Sequence, residues 1–357
     1  MTSDDALQSV QEQIGTNPFL RVRGGGSKPA LSSGANLELA NVSGVLEYNP
    51  QEYTFTALAG TPLAEVETLL AAEGQFLPFD PPFAEAGGTL GGTVAAGLSG
   101  PGRYRYGGVR DFILGVTFVN GLGEVVRGGG KVVKNAAGFD FPKLMVGSLG
   151  RFGVMAELTF KVFPAPESYA TLVLEARDPE EANALMQRLA TASFEPYALE
   201  FFPPHRLLVR FGGLAAALSG RLERVQAFLG QDGDVVTDDA EAQLWRAAKA
   251  FDWVPDGHAL VKVAHSPARV EGLENIFTDI PRRYSVGGNA LYLAWPETRQ
   301  QNELDTLLDE ENLSGLALTG SWANPRLGVQ TGGAFLERVA HVFDPHGIFS
   351  QDVIHAA

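Results

Sequence analysis

The sequence predicts an α+β fold, and three observations carry that prediction. Short strand-like and helix-like segments mix irregularly through the first third of the chain, where a doubly wound sheet would alternate them regularly. One long central stretch, Ala86–Pro164, sets glycine clusters at 87–88, 91–92, 107–108 and 128–130 between apolar strand-like runs. Beyond it, a strand–helix–strand–strand–helix order appears and then recurs roughly from Ala259 to Leu318, which builds a sheet with antiparallel returns and helices on one face.

Taken in order, Leu7, Val10 and Ile14 stand at helical spacing behind Ser3 and Asp4, and Gly15 and Asn17 close that helix. Phe19–Val22 reads as a strand leading into the first glycine loop. Val45–Tyr48 and Tyr53–Leu58 read as strands divided by Asn49-Pro50. Thr61-Pro62 reads as an N-cap with proline at the first helical position, opening a helix through Leu63, Val66, Leu69 and Leu70 that ends near Gly74. Val154–Val162 is a strand broken by Pro164 and Pro166, where the domain boundary is placed. Thr171–Ala176 opens the next unit, and Asp178-Pro179-Glu180-Glu181 combines a cap, a proline and acids at a helix start. Tyr197–Phe202 and Leu207–Phe211 are strands, Leu214–Leu229 a helix, and Asp238–Phe251 a helix with Leu244 and Trp245 on its apolar side.

At 357 residues and 45% hydrophobic content the chain has material for two cores. Its net charge of −15 repels a phosphate backbone, so nucleic acid is not the expected partner. With no cysteine the chain carries no disulfide, no thiolate nucleophile and no iron–sulfur ligand, and single electrons bound for a cluster must leave for another polypeptide. The acidic start, MTSDDALQ, does not read as a signal peptide, and no run approaches the roughly 20 apolar residues of a membrane span. A cytoplasmic protein is expected, attached to the inner face of a membrane only through partners.

The chemistry concentrates in two glycine-rich loops. Gly87-Gly88-Thr89-Leu90-Gly91-Gly92-Thr93-Val94-Ala95-Ala96-Gly97 sets bare amides and hydroxyls beside a short Ala-rich turn, and Arg23-Gly24-Gly25-Gly26-Ser27-Lys28 follows a strand-like run upstream. Two amide-rich loops suit a diphosphate, with Gly24, Gly25, Gly26 and Ser27 wrapping it and Lys28 supplying a point charge. A nicotinamide site of the Rossmann type is disfavoured. Pro29 and Ser32-Ser33-Gly34 interrupt any helix after the first loop, and Gly121-Leu122-Gly123 meets Val126 where a third glycine is required.

These loops, together with Asp80-Pro81-Pro82, the RYGGVRD of Arg105–Asp111, the KNAAGFDFPKL of Lys134–Leu144, the GSLGRFGV of Gly147–Val154 and the FDPHGIF of Phe343–Phe349, resemble the FAD-binding domain of the vanillyl-alcohol oxidase, or PCMH, type. Within it the likeness runs to the flavin-binding subunits of bacterial glycolate oxidases (glycolate dehydrogenases). The resemblance implies an FAD-binding domain of two α+β subdomains over residues 1–165, a cap or substrate domain with an antiparallel sheet over 166–325, and a C-terminal segment, 326–357, returning to the FAD domain. It implies that Arg23, Gly24, Gly25, Gly26, Ser27, Lys28, Pro81, Gly91, Gly92, Thr93, Ser99 and Gly100 follow the diphosphate. Tyr106 and Gly107 are then expected near the flavin ring, and Val154 at the adenine end. Ser27 and Lys28 stand where some relatives carry a histidine for covalent attachment, so FAD is expected to be non-covalent.

The same likeness implies a larger flavin-binding subunit, an iron–sulfur subunit and a small 2-hydroxy acid substrate, with glycolate oxidised to glyoxylate. Departures from the pattern keep two further readings open. The histidine–acid cluster of larger relatives is missing, no metal site is expected, and Ser350-Gln351-Asp352 replaces the common Asn-Pro-Gly of the tail. A free-standing oxidase or dehydrogenase of another hydroxy acid or alcohol is one alternative, and a non-catalytic scaffold subunit the other. Arg103, Arg105 and Arg110, interleaved with Tyr104 and Tyr106, pair with a substrate carboxylate, salt-bridge to Asp111 or cross a domain interface. His205, His258, His265, His341, His346 and His355 include no identifiable catalytic base.

Overall fold

A computed structural model of the chain describes residues 2–130 and 139–349. Its contacts separate two units, one made of Met1–Ser99, Gly108–Ala165 and Thr331–Ala357, the other of Gly100–Gly107 and Pro166–Gln330. Both mix helices with antiparallel sheets, as the α+β prediction requires.

In the first unit, Ser3–Thr16 is a helix whose apolar stripe of Leu7, Val10 and Ile14 is buried. Its cap is Thr2, one residue ahead of the expected position: Thr2 Oγ1 accepts from the Asp5 amide at 3.2 Å and Asp5 accepts in return from the Thr2 amide at 3.1 Å. That stripe packs into a core with Leu39, Leu58, Val119, Val154 and Phe349, so both ends of the described chain meet over one sheet. Each such aliphatic side chain contributes about 1.5–3 kcal/mol by leaving water. The sheet has five strands, Val45–Asn49, Thr54–Leu58, Val154–Lys161, Ile113–Val119 and Val125–Gly129, side by side in that order and antiparallel throughout.

Two local readings are corrected. Phe19–Val22 is not a strand: pairing is confined to Val22–Arg23, parallel to Leu37–Glu38, because the Leu20 amide donates instead to the Ile348 carbonyl of the tail at 2.7 Å. Thr61 does not cap the helix Leu63–Ala71, for its hydroxyl accepts from the Gly44 amide at 2.9 Å and the capping position is Pro62. The tail itself is held by Asp344, whose carboxylate accepts from the amides of Ile348 and Phe349 at 2.8 and 2.7 Å.

The second unit is built on a nine-stranded sheet. Asp234–Thr237, Ser168–Glu175, Arg206–Gly213, Ala198–Phe202, Arg282–Ser285, Ala290–Pro296, His258–Ala264, Ser314–Ala317 and Arg326–Gly328 follow one another across it, every neighbour antiparallel. Its two halves join through a single register pair, Phe201 with Tyr284. The helix Pro179–Thr191 starts as the sequence predicts, with Asp178 Oδ1 accepting from the Glu181 amide at 2.8 Å. The helix Asp238–Ala250 is pinned by a buried network: Glu241 accepts from Arg210 at 2.7 and 3.0 Å and from the Thr171 hydroxyl at 2.9 Å, and Trp245 Nε1 donates to Thr171 at 2.8 Å.

Removing one partner of that buried pair leaves the other charge unpaired. Glu241→Ala is therefore expected to destabilise the second unit by about 3–5 kcal/mol, against about 1 kcal/mol for Asp178→Ala, which loses only a cap. Urea denaturation followed by tryptophan fluorescence checks the ranking, and equal midpoints for the two variants contradict it.

Candidate functional site

Gly24 and Gly25 have no space for a side chain, and the reason is the second loop. A Cβ on Gly25 would sit 1.7 Å from the Gly87 carbonyl oxygen, and one on Gly24 would sit 2.4 Å from Thr89 Oγ1. The two glycine loops, distant in sequence, thus lie backbone against backbone. Gly26 completes the turn in the left-handed region at φ +70°.

Their amides are used differently. On the second loop, Leu90 donates to the Thr61 carbonyl at 3.0 Å, Gly91 to Ala59 at 2.7 Å, Gly92 to Thr89 Oγ1 at 3.2 Å and Thr93 to the Thr89 carbonyl at 2.9 Å. On the first loop, the N–H groups of Gly24, Gly25, Gly26, Ser27 and Lys28 have no acceptor among the described residues. The first loop therefore presents the donors. Gly91 serves packing: a Cβ there would meet Ala59 Cβ and its carbonyl oxygen at 2.9 Å.

Lys28 supplies the charge. Only 8% of it is exposed, its ammonium donates to Ser27 Oγ at 3.1 Å and lies 5.6 Å from the centre of the Phe83 ring, and no carboxylate among the described residues pairs with it. Burial pushes its pKa down to about 8. A cation kept out of water without a counterion, beside a run of free amides, is built to meet an anion. Around it opens a cleft with Val22, Leu31, Leu39, Ala59, Ala95, Val154 and Met155 as apolar walls that suit flat rings.

A diphosphate flanked by ring systems fits this chemistry, and the sequence agrees with a known domain: residues 2–129 match the family model described as "FAD binding domain". Residues 2–129 form an FAD-binding domain of the PCMH type. Among curated relatives, glycolate oxidase subunit GlcE of Escherichia coli is 41% identical over 173 residues, 48% of this chain and 49% of that protein. D-lactate dehydrogenase of Anaerostipes hadrus is 31% identical over 176 residues, 49% of this chain and 37% of that one. The chain thus spans about half the length, or less, of these relatives. An alkyldihydroxyacetonephosphate synthase structure shares the fold, with a TM-score of 0.71 at 17% identity over 97% of this chain and 75% of that one.

The predicted residues of the FAD-binding domain divide into groups. Arg23, Gly24, Gly25, Gly26, Ser27, Lys28, Gly91, Gly92 and Val154 line the cleft, although the Arg23 guanidinium turns to Glu38 at 2.6 Å. Pro81, Thr93 and Ser99 do not line it, and the Ser99 hydroxyl accepts from the Val109 amide at 2.9 Å. Gly100, Tyr106 and Gly107 belong to the second unit, where the Tyr106 ring meets Tyr197 edge-on at 5.5 Å. Leu31, Leu39, Leu149, Gly150 and Gly153 line the cleft without having been singled out, although the last three lie inside the Gly147–Val154 motif that signalled them. Lys134–Gly138 of the KNAAG motif, Ser350-Gln351-Asp352 and His355 lie outside the described residues.

Of the expected pairings, Arg105 binds Glu195 at 2.9 and 3.0 Å rather than Asp111, whose carboxylate accepts from the Gly108 amide at 2.8 Å. His205, His258 and His265 each place Nδ1 about 3 Å from a nearby backbone carbonyl. Among the described residues no three acids or histidines gather as a metal donor set, and no helix is long and apolar enough to cross a membrane.

Gly25→Ala forces the two loops apart and is expected to weaken FAD binding by at least about tenfold. Gly15→Ala, in open space on the first helix, is expected to leave FAD binding unchanged and to gain about 0.5–1 kcal/mol of stability. Flavin fluorescence after desalting, with thermal unfolding alongside, distinguishes the two.

Proposed function

We propose that the chain is an FAD-binding subunit of a glycolate oxidase or glycolate dehydrogenase assembly, supporting oxidation of a 2-hydroxy acid to the 2-oxo acid. The reading rests on one observation above the others: the unpartnered amides of Gly24–Lys28 and the unpaired Lys28 ammonium face one cleft. The similarity to a protein named as a glycolate oxidase subunit supplies the substrate class. A larger flavin-binding subunit, an iron–sulfur subunit and a position at the inner membrane face through that assembly are part of the proposal. A scaffold without flavin has no use for amides of Gly24–Lys28 left without acceptors, or for a buried Lys28 ammonium left without a carboxylate, among the described residues.

In this reading Gly24, Gly25, Gly26 and Ser27 hold the diphosphate through their amides, Lys28 neutralises it, and Val154 backs the adenine end. Gly91 and Gly92 form the floor, and the remaining predicted positions, Pro81, Thr93, Ser99, Gly100, Tyr106 and Gly107, serve as supports of the loops and of the ring's surroundings. FAD, when bound, supplies the two-electron acceptor for the hydroxy-acid carbon. The protein's own part is to keep the diphosphate dry and oriented, so that the cofactor stays bound without a covalent link.

Lys28 makes this testable by pH. The free folded chain holds its pKa near 8, against 10.5 ordinarily, so from pH 8 to 10.5 the unfolded chain binds a proton that the folded one lacks. Stability of the flavin-free protein is therefore expected to rise across that window. FAD binding, which needs the ammonium, is expected to weaken by about tenfold per pH unit above 8, and Lys28→Met to lower affinity at pH 7 and abolish that slope. Fluorescence titration of apoprotein with FAD checks both.

Activity separates assembly from independence. Purified alone, the chain is expected to retain FAD without turning over glycolate with an artificial acceptor, and to do so when co-purified with its partner subunits. Turnover by the isolated chain supports the free-standing alternative, which the similarity to a protein named D-lactate dehydrogenase keeps in play.

A further inference from the structure

The sheet of the second unit carries a row of polar side chains that the cofactor site does not use. Arg283, Tyr292 and Lys262 are directly opposed on three neighbouring strands, Arg283 to Tyr292 and Tyr292 to Lys262, so their side chains leave the same face about 5 Å apart at Cβ. Arg283 is 1% exposed and already engaged. Its Nη1 donates to the Ala248 carbonyl at 2.6 Å and its Nε lies 3.3 Å from Glu200 Oε2.

Glu200, the acid on that face, is engaged as well. It accepts from the Ser285 hydroxyl at 2.6 Å and the Val286 amide at 3.2 Å, besides meeting Arg283. The Tyr292 hydroxyl, on a side chain 2% exposed, makes no hydrogen bond among the described residues. Lys262 has no acceptor or carboxylate among them either, and neither has Arg103, whose charge lies near enough to Lys262 to help burial push that lysine's pKa down to about 8. Lys262 and the Tyr292 phenol, both donors, stand side by side without an acceptor, and the charge of the exposed Arg103 is near enough to act on Lys262. An ammonium held away from water without an acceptor is relieved by an anion at that place.

We propose that Lys262, the Tyr292 hydroxyl and Arg103 form a binding site for the carboxylate of a small organic acid. The cluster lies wholly in the second unit, so the site stands apart from how FAD is held. Its role as the anchor of the hydroxy-acid substrate rests on the function proposed above. A planar carboxylate offers Arg103 and Lys262 one oxygen each and lets the phenol donate to either.

Competitive acylation of the FAD-loaded full chain with acetic anhydride, read by peptide mass spectrometry, tests the site. Glycolate or oxalate is expected to slow modification of Lys262 by about tenfold or more, to leave Lys28 unaffected, and to be unmatched by phosphate at equal ionic strength. By calorimetry Lys262→Met is expected to lose oxalate binding, and Lys262→Arg to retain it. Unchanged labelling, equal protection by phosphate, or undiminished oxalate binding by Lys262→Met overturns the proposal. Removal of FAD reports separately on Lys28: if it does not expose that lysine while oxalate still protects Lys262, the cofactor reading fails and the carboxylate site stands.

Discussion

The contact between the Gly25 backbone and the Gly87 carbonyl is the constraint on which the cofactor site depends. No side chain fits between these loops, and because the first loop is held there, its amides point into a cleft instead of bonding to one another or to a strand. Everything else at the site is support. The pairing of Val22–Arg23 with Leu37–Glu38 delivers the chain to the loop, and Leu20 is fastened by the tail carbonyl of Ile348. The short helix Leu90–Ala96 spends its leading amides on Ala59, Thr61 and Thr89, which makes it a rigid floor rather than a donor.

Electrostatics extend the same logic. The chain carries a net charge of −15, yet keeps one lysine buried and unpaired in the cleft of the first unit and another partly buried beside an arginine in the second. Burying an amine without a partner costs stability, and both sites bear that cost in the unliganded chain. Elsewhere the same protein matches its buried charges closely, as in Arg210 with Glu241 and Arg282 with Glu274. The contrast separates charges paired within the fold from charges left without a partner among the described residues.

Much of the architecture was legible because it depends on local rules. Asp178 caps its helix where a cap, a proline and two acids stand in succession, and the strands from Val45 to Leu58 follow apolar runs broken by Asn49-Pro50. Where the local reading failed, a distant partner had taken over the group concerned. Leu20 is claimed by Ile348, the Thr61 hydroxyl by Gly44, and Arg105 by Glu195.

By itself the sequence determined the α+β class, the stretches that turn on glycine, and the kinship with FAD-binding domains, since each is written in residue order and composition. Only the tertiary structure decided which glycine amides are spent within the chain and which have no acceptor among the described residues. Glycine packs closely at both places, and the difference lies in the amide: Gly91 donates to the Ala59 carbonyl at 2.7 Å, whereas that of Gly25 has no acceptor among the described residues. It alone also decided that Lys262 and Tyr292 meet, because strand register, unlike helix spacing, joins residues that no local pattern connects.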